Sequence, residues 1–156
     1  MTTTAPIDVL ALENQVCFAL AVATRKVIAA YRPLLDPLGL SHPQYLTMLA
    51  LWERSPRSVR DLADAIALEP ATLSPMLKRL ETAGLVSRTR SAADERVLDV
   101  ELTAAGRALR AQAETVPPRV AALLDMSVDE LTALRSTLHR LIASASHPAD
   151  PPEIAG

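Results

Sequence analysis

One cysteine, Cys17, sits in the run "VCFALAVA", and the chain holds no second thiol. The thiolate is the nucleophile that attacks peroxides and disulfides, and a free cysteine keeps its proton up to a pKa of about 8.5. An apolar helix interior raises that value by desolvation, so a reactive sulfur here needs hydrogen-bond donors brought to it. Without them Cys17 is a small buried hydrophobe, as most free cysteines are. A second chemistry is carried by hydroxyls and cations. "ATLSPMLKRLETAG" places Thr72, Ser74, Lys78 and Arg79 along one band, with Leu73, Leu77 and Leu80 pointing inward, and Arg88, Arg90 and Arg96 follow. Such groups near a helix N-terminus meet base edges and phosphates together. The three histidines, His42, His139 and His147, are scattered and with one cysteine make no metal site.

These residues need elements to position them. Between Ile7 and Tyr31 there is no Gly or Pro, and Leu12, Val16, Ala19, Ala23, Val27 and Tyr31 recur at spacings of three and four, which predicts one long helix. Its middle is apolar all round, so it must be covered on more than one side, and a partner subunit is the natural cover. "RPLLDPLGL" breaks it. Ser41 and Gln44 have capping-box spacing for a helix to about Glu53. "RSPRS" reads as a turn, Ser58 and Asp61 open a short helix, and Glu69-Pro70 opens the next, which ends at Gly84 in a left-handed position. The period then changes to two. Val86, Arg88 and Arg90 share one face, Leu98, Val100 and Leu102 share one face, and the polar "SAADE" joins them into a β-hairpin. Thr103 caps a long helix from Ala104, with Pro117-Pro118 either kinking it or marking its register near the end. Ser127 and Glu130 start a last helix with a Leu131, Leu134, Leu138, Leu141 stripe suited to a coiled-coil-like seam.

Composition agrees with this order. Apolar residues make 49% of the 156 but aromatics only 3%, which favours packed helices over a β-sandwich. A lone cysteine excludes an internal disulfide framework and makes a reduced, cytoplasmic setting the expectation. No basic segment precedes an apolar core at the N-terminus, and no run of about 18 apolar residues offers a membrane span. The net charge of −2 hides an asymmetry: residues 54–110 hold ten Lys/Arg against eight Asp/Glu. Two short helices, a tight turn and a hairpin are the order of a winged helix-turn-helix, whose second helix enters the major groove. The predicted fold is therefore mainly α with a small β-hairpin wing. Residues 41–102 form the DNA-binding core, 7–35 and 104–145 the dimerisation helices of one domain, and 1–6 and 147–156 flexible tails. The candidate DNA-binding set is Ser58, Thr72, Ser74, Pro75, Lys78, Arg79, Arg88, Arg90, Asp94 and Arg96.

The stretch from "SVRDLADAIALEPATLSPMLKRLETAGL" through "VSRTRSAADERVLDVELTAAGRAL" resembles the winged-helix core of the MarR family of dimeric bacterial regulators. Asp94 and Arg96 match its wing-tip "D-x-R", which implies that the Asp holds the Arg for minor-groove insertion. "LENQVCFAL", "YRPLLDPLGLSHPQYLTMLALWE" and "LSPMLKRLE" are similar to the OhrR subgroup of organic-hydroperoxide sensors, over about residues 12–145. This resemblance implies that Cys17 is the redox-sensing residue. Its thiolate would be oxidised by a hydroperoxide to a sulfenic acid, releasing DNA. Two family tyrosines hydrogen-bond the sulfur: one matches Tyr31, the other falls on His42. Tyr45 is retained, a further family aromatic is Ala21 here, and Glu69-Pro70 replaces the usual Asp-Ser.

Cys17 and Tyr31 are fourteen residues apart, which is about 21 Å along a straight helix at about 1.5 Å per residue. They meet only if Tyr31 comes from a second subunit. Tyr31 and His42 could then each donate to the sulfur, a protonated His42 favouring the thiolate most, so substitution of His42 should alter reactivity. Lacking a second cysteine, the sulfenic acid would be capped by a low-molecular-weight thiol, become a sulfenamide or over-oxidise, and the mixed disulfide is the favoured outcome. The reading is thus a homodimeric repressor of a pseudo-palindromic double-stranded operator, with no cofactor, metal or membrane partner and no enzymatic activity. The alternative is a MarR-type repressor released by a small aromatic or phenolic ligand, with Cys17 only structural. A thiol peroxidase is disfavoured, because no resolving cysteine is present and the basic hairpin would go unexplained.

Overall fold

The computed structural model describes residues 8–146, so Ile7 and the expected tails lie outside them. The chain divides into two compact units, Met1–Pro117 and Pro118–Gly156. Its helices are α1 (Val16–Leu35), α2 (His42–Glu53), α3 (Val59–Ala65), α4 (Pro70–Thr82), α5 (Ala104–Ala113), α6 (Val116–Leu123) and α7 (Val128–Ala145). The strands are β1 (Arg57–Ser58), β2 (Val86–Arg90) and β3 (Leu98–Leu102). They form an antiparallel sheet in the order β1-β3-β2. Among the described residues no helix is long and apolar enough to cross a membrane.

Caps fix several helix starts. Ser41 Oγ accepts from the Gln44 N–H while Gln44 Oε1 accepts from the Ser41 N–H, and Ser127 with Glu130 repeats the box at α7. Ser58 and Thr103 accept from the Asp61 and Gly106 N–H groups at 3.1 and 3.0 Å. Each satisfies an amide that the helix cannot pair internally. The core of the first unit is Met48 and Leu51 of α2, Leu62 and Ala63 of α3, Leu73, Leu77 and Leu80 of α4, and Val86, Val100 and Leu102 of the sheet. The three leucines of α4 recur at i, i+4 and i+7, so they share one face. Burying each is worth about 1.5–3 kcal/mol. This buried stripe fixes which face of α4 is left outside.

Three expectations are corrected. Within the described residues the first helix starts only at Val16. A short 3₁₀ turn, Leu12–Asn14, precedes α1. Asn14 donates to the Asp8 carbonyl, and Gln15 to the carbonyls of Val9 and Ala11, so these amides bind the backbone of the preceding turn instead of leaving it to a helix. At its other end α1 passes through Pro33 and stops at Leu35, inside the stretch expected to break it. An interior proline costs about 3 kcal/mol, but Leu34 and Leu35 are buried in that last turn and offset it. The helix from Ala104 is not kinked but divided. Pro117 and Pro118 fall in the first turn of α6, where a missing N–H costs nothing, whereas in a continuous helix they would clash with the preceding turn. Finally, the "RSPRS" turn contains β1, with Arg57 opposite Val100 and Ser58 opposite Asp99. Two residues are too few for periodicity to reveal a strand.

The apolar middle of α1 is uncovered in the single chain. Nothing from Val16 to Arg32 is buried, and Val16 is 67% exposed. In the second unit no residue of α7 is buried either, and the expected leucine stripe keeps Leu134 and Leu141 exposed.

Candidate redox centre and nucleic-acid interface

Cys17 lies in the first turn of α1 and is exposed in the single chain. Tyr31 lies on the same unbroken helix fourteen residues on, about 21 Å away. The two do not meet within one chain. Tyr31 instead meets α2: its ring centroid is 5.1 Å from that of His42, edge-on, and 5.8 Å from that of Tyr45. Pro43 and the Ser41 cap start α2 so that His42 is its first residue and Tyr45 comes one turn later. Burial raises the pKa of Tyr31, so its hydroxyl keeps the proton it could donate. Tyr45 is raised by burial and then by the neighbouring Tyr31. Burial lowers the pKa of His42 from 6.5, so at neutral pH it is a neutral imidazole. The protonated His42 considered from the sequence is therefore disfavoured, and any help it gives a thiolate comes from a neutral N–H.

Beside this cluster lies a cavity of about 710 Å³. Residues Arg25, Ile28, Ala29 and Arg32 of α1 form one wall, and Leu40, Ser41, His42 and Pro43 another. Among the described residues there is no group of three or more His, Cys, Asp or Glu arranged to hold a metal ion.

The second site is built on α4 and the hairpin. Thr72, Ser74, Pro75, Lys78 and Arg79 are exposed on the side opposite the leucines. The Ser74 hydroxyl donates to the Pro70 carbonyl within the helix and keeps its lone pairs outward. Lys78 and Arg79 form no salt bridge among the described residues. At the wing tip Asp94 Oδ1 accepts from the Arg96 backbone N–H at 3.0 Å, so the carboxylate shapes the turn that carries Arg96, and the Arg96 side chain is exposed. Arg90 donates to the Glu95 carbonyl across the same loop. Ser58 spends its oxygen on the α3 cap.

Arg88 behaves differently from a surface cation. Register puts it opposite Val100, on the face that includes buried Val86 and Leu102. There Glu81 of α4 accepts from its backbone N–H at 3.2 Å, from Nε at 3.1 Å and from Nη2 at 2.7 Å. The same bonds hold the Glu81 carboxyl below its usual pKa. This fork ties the wing strand to the end of α4, so it sets the angle between the two. The sequence carried the signal, since Arg88 alternates in phase with Val86. Glu81→Gln should lower DNA affinity severalfold with little change in thermal midpoint, measured by anisotropy and calorimetry. Unchanged affinity would mean the fork does not set the wing. Arg60, exposed on α3 and without a salt bridge among the described residues, is a further cation that the sequence reading left out.

A buried helix-turn-helix core with one polar helix face and a basic hairpin beside it defines a winged-helix DNA-binding protein. Residues 40–98 match the MarR family. The chain is 40% identical over 135 residues to the organic hydroperoxide resistance transcriptional regulator of Bacillus subtilis (strain 168), covering 86% of this chain and 92% of that one. It is similar to the reduced, DNA-bound structure of AbfR from Staphylococcus epidermidis, with TM-score 0.70 and 32% identity, covering 87% of this chain and 95% of that one. It is also similar to the repressor CouR of Rhodococcus jostii RHA1 bound to a 23-mer DNA duplex, with TM-score 0.77 and 27% identity over 88% and 99% of the two chains. The chain belongs to the MarR family of DNA-binding transcriptional regulators.

Proposed function

We propose that this regulator is a homodimeric repressor that senses organic hydroperoxides through Cys17 and lets go of its operator when that sulfur is modified. One observation carries the reading. The exposed thiol and Tyr31, which packs against His42 and Tyr45 of α2, sit about 21 Å apart on one helix whose apolar face is uncovered. A second copy crossing α1 covers that face and brings one chain's sulfur to the other's phenol and imidazole. The Bacillus subtilis relative is named for organic hydroperoxide resistance, which supports the same signal.

In the dimer two copies of α4 enter successive major grooves, about one helical turn apart, on a pseudo-palindromic site. Thr72, Ser74, Pro75, Lys78 and Arg79 face the groove, and Arg96 reaches the adjacent minor groove on the turn that Asp94 shapes. Arg90 and Ser58 flank the backbone. Arg88, already held by Glu81, contributes by positioning the wing. Arg96→Ala should cost about 1–3 kcal/mol of binding and relax any preference for a narrow minor groove, read by anisotropy on A-tract and mixed sequences. Equal affinity at several salt concentrations would remove Arg96 from the interface.

AbfR has been crystallised on DNA in an over-oxidised form, so in that relative over-oxidation is compatible with a DNA complex. A bulkier adduct is the better lever on helices packed at close to crystal density. The mixed disulfide with a small thiol is therefore the releasing state in this reading. The deciding experiment adds hydroperoxide and then a small thiol to the DNA complex while Cys17 is followed by mass. A complex that survives stoichiometric thiolation of Cys17 places the switch elsewhere.

A further inference from the structure

We infer that the cavity between α1 and the start of α2 seats a carboxylate-bearing low-molecular-weight thiol, the co-reactant that caps oxidised Cys17. This rests on the dimeric sensor reading above, which brings the partner's sulfur to Tyr31 and His42. The cavity, about 710 Å³, borders His42 and lies within the size range of small-molecule sites. Both walls carry apolar residues, with Ile28, Leu40 and Pro43 among them. Two cations stand on one wall. Arg25 and Arg32 are seven residues apart on the same stripe of α1, about 10.5 Å along the axis. Neither forms a salt bridge among the described residues, even though Asp36 also lines the cavity. With His42 neutral the lining keeps a net positive charge.

The chemistry needs such a seat. In the first step the Cys17 thiolate attacks the outer oxygen of the hydroperoxide. An S–O bond forms, the O–O bond breaks, sulfur loses two electrons, and the peroxide leaves as an alcohol after taking a proton. In the second step a thiolate attacks the sulfenic sulfur. An S–S bond forms, the S–O bond breaks, and hydroxide leaves with the thiol's proton as water. A neutral alkyl or aryl hydroperoxide has nothing for two arginines to hold. A thiol built on an amino acid has a carboxylate, and its reacting form is itself an anion. Each unit charge at about 4 Å is worth roughly a fivefold preference even in bulk water. The arginines thus select the second reactant, not the first.

The test has two arms on the full-length protein. In the first, Cys17 is oxidised with one equivalent of cumene hydroperoxide, the sulfenic acid is verified by dimedone trapping, and capping rates are measured with glutathione and with cysteamine. In the second, reduced protein reacts with 5,5′-dithiobis(2-nitrobenzoate), which is dianionic, and with cystamine, which is dicationic, so no sulfenic acid is required. Each anion-to-cation rate ratio is divided by that of a cysteine peptide. Wild type should exceed the peptide by at least about fivefold, Arg25→Gln/Arg32→Gln should fall to the peptide's ratio, and Arg25→Lys/Arg32→Lys should recover most of it. A wild-type ratio equal to the peptide's, or one unmoved by the glutamine pair, overturns the seat. If no sulfenic acid forms but the second arm keeps its preference, the seat stands and the hydroperoxide reading falls. Both arginines are exposed, so the variants should fold, and an unchanged thermal midpoint checks it.

Discussion

Cys17→Ser should bind DNA as wild type does and lose all response to hydroperoxide. The side chain is exposed in the single chain and differs from serine by one atom, so affinity in the reduced state should change less than about twofold. Wild type treated with cumene hydroperoxide and then a small thiol should lose about a hundredfold in affinity, equal to about 2.7 kcal/mol of coupling between sulfur and groove. Coupling of this kind requires that the adduct fit the releasing arrangement better than the DNA-bound one, by that same free energy. Anisotropy titrations of the two proteins, with and without oxidant, read the result. Release of both proteins, or of neither, would sever Cys17 from the switch. Hydroperoxide in large excess without a thiol drives the sulfur to sulfinate and sulfonate, and should release less DNA than the two-step treatment.

That experiment concerns a site only half legible in the chain. Cys17 announced itself by being the only thiol, and its spacing from Tyr31 already forbade contact along one helix. Both residues lie on α1, and the same distance of about 21 Å separates them there. The state of His42 was not legible. A histidine beside a tyrosine in sequence-distant elements reads equally well as an imidazolium or an imidazole, and it is burial in the packed structure, where Tyr31 lies edge-on to it, that lowers its pKa. The cavity was equally hidden, because it combines residues 25–32 with residues 35–43 across a bend that the sequence marked only as a break. Nothing in the sequence sets Arg25 and Arg32 apart from an ordinary solvated helix face.

In the DNA-binding core the strong signals were those with a mechanism attached. The capping residues Ser41, Thr103 and Ser127, the left-handed Gly84 and the leucine stripe of α4 all occupy the places their chemistry demands. Misreadings arose where a local rule competed with packing or with a neighbouring side chain. Arg88 reads as a phosphate contact until its strand phase sets it beside Glu81. β1 owes its existence to β3 and has no signal of its own.

Gly106→Ala should be the most damaging single substitution outside the hydrophobic core. Intrinsic propensity favours it, since alanine is better than glycine inside a helix by about 1 kcal/mol. Space forbids it. A Cβ on Gly106 would run into the backbone carbonyl of Leu85 and reach Leu102 Cδ2 at 3.2 Å. The Leu85 carbonyl cannot swing aside cheaply, because it accepts from the Thr103 N–H at 3.1 Å, and Thr103 donates to the Gly84 carbonyl at 2.6 Å. Gly106 is held from its own side as well, by the Thr103 cap and by Trp52 Nε1, which donates to its carbonyl at 2.9 Å. Overpacking of this kind costs about 3 kcal/mol when backbone must move. Net of propensity that leaves about 2 kcal/mol, or roughly 4–8 °C in thermal midpoint for a chain of this size. DNA affinity should fall with it, since the corner joining α4 to β2 carries the wing. Ala105→Gly, one exposed position earlier, should cost only the propensity difference of about 1 kcal/mol. A Gly106→Ala protein that melts above wild type would show that α5 does not rest on Leu85, and the joint between the capping threonine and the recognition helix would have to be redrawn.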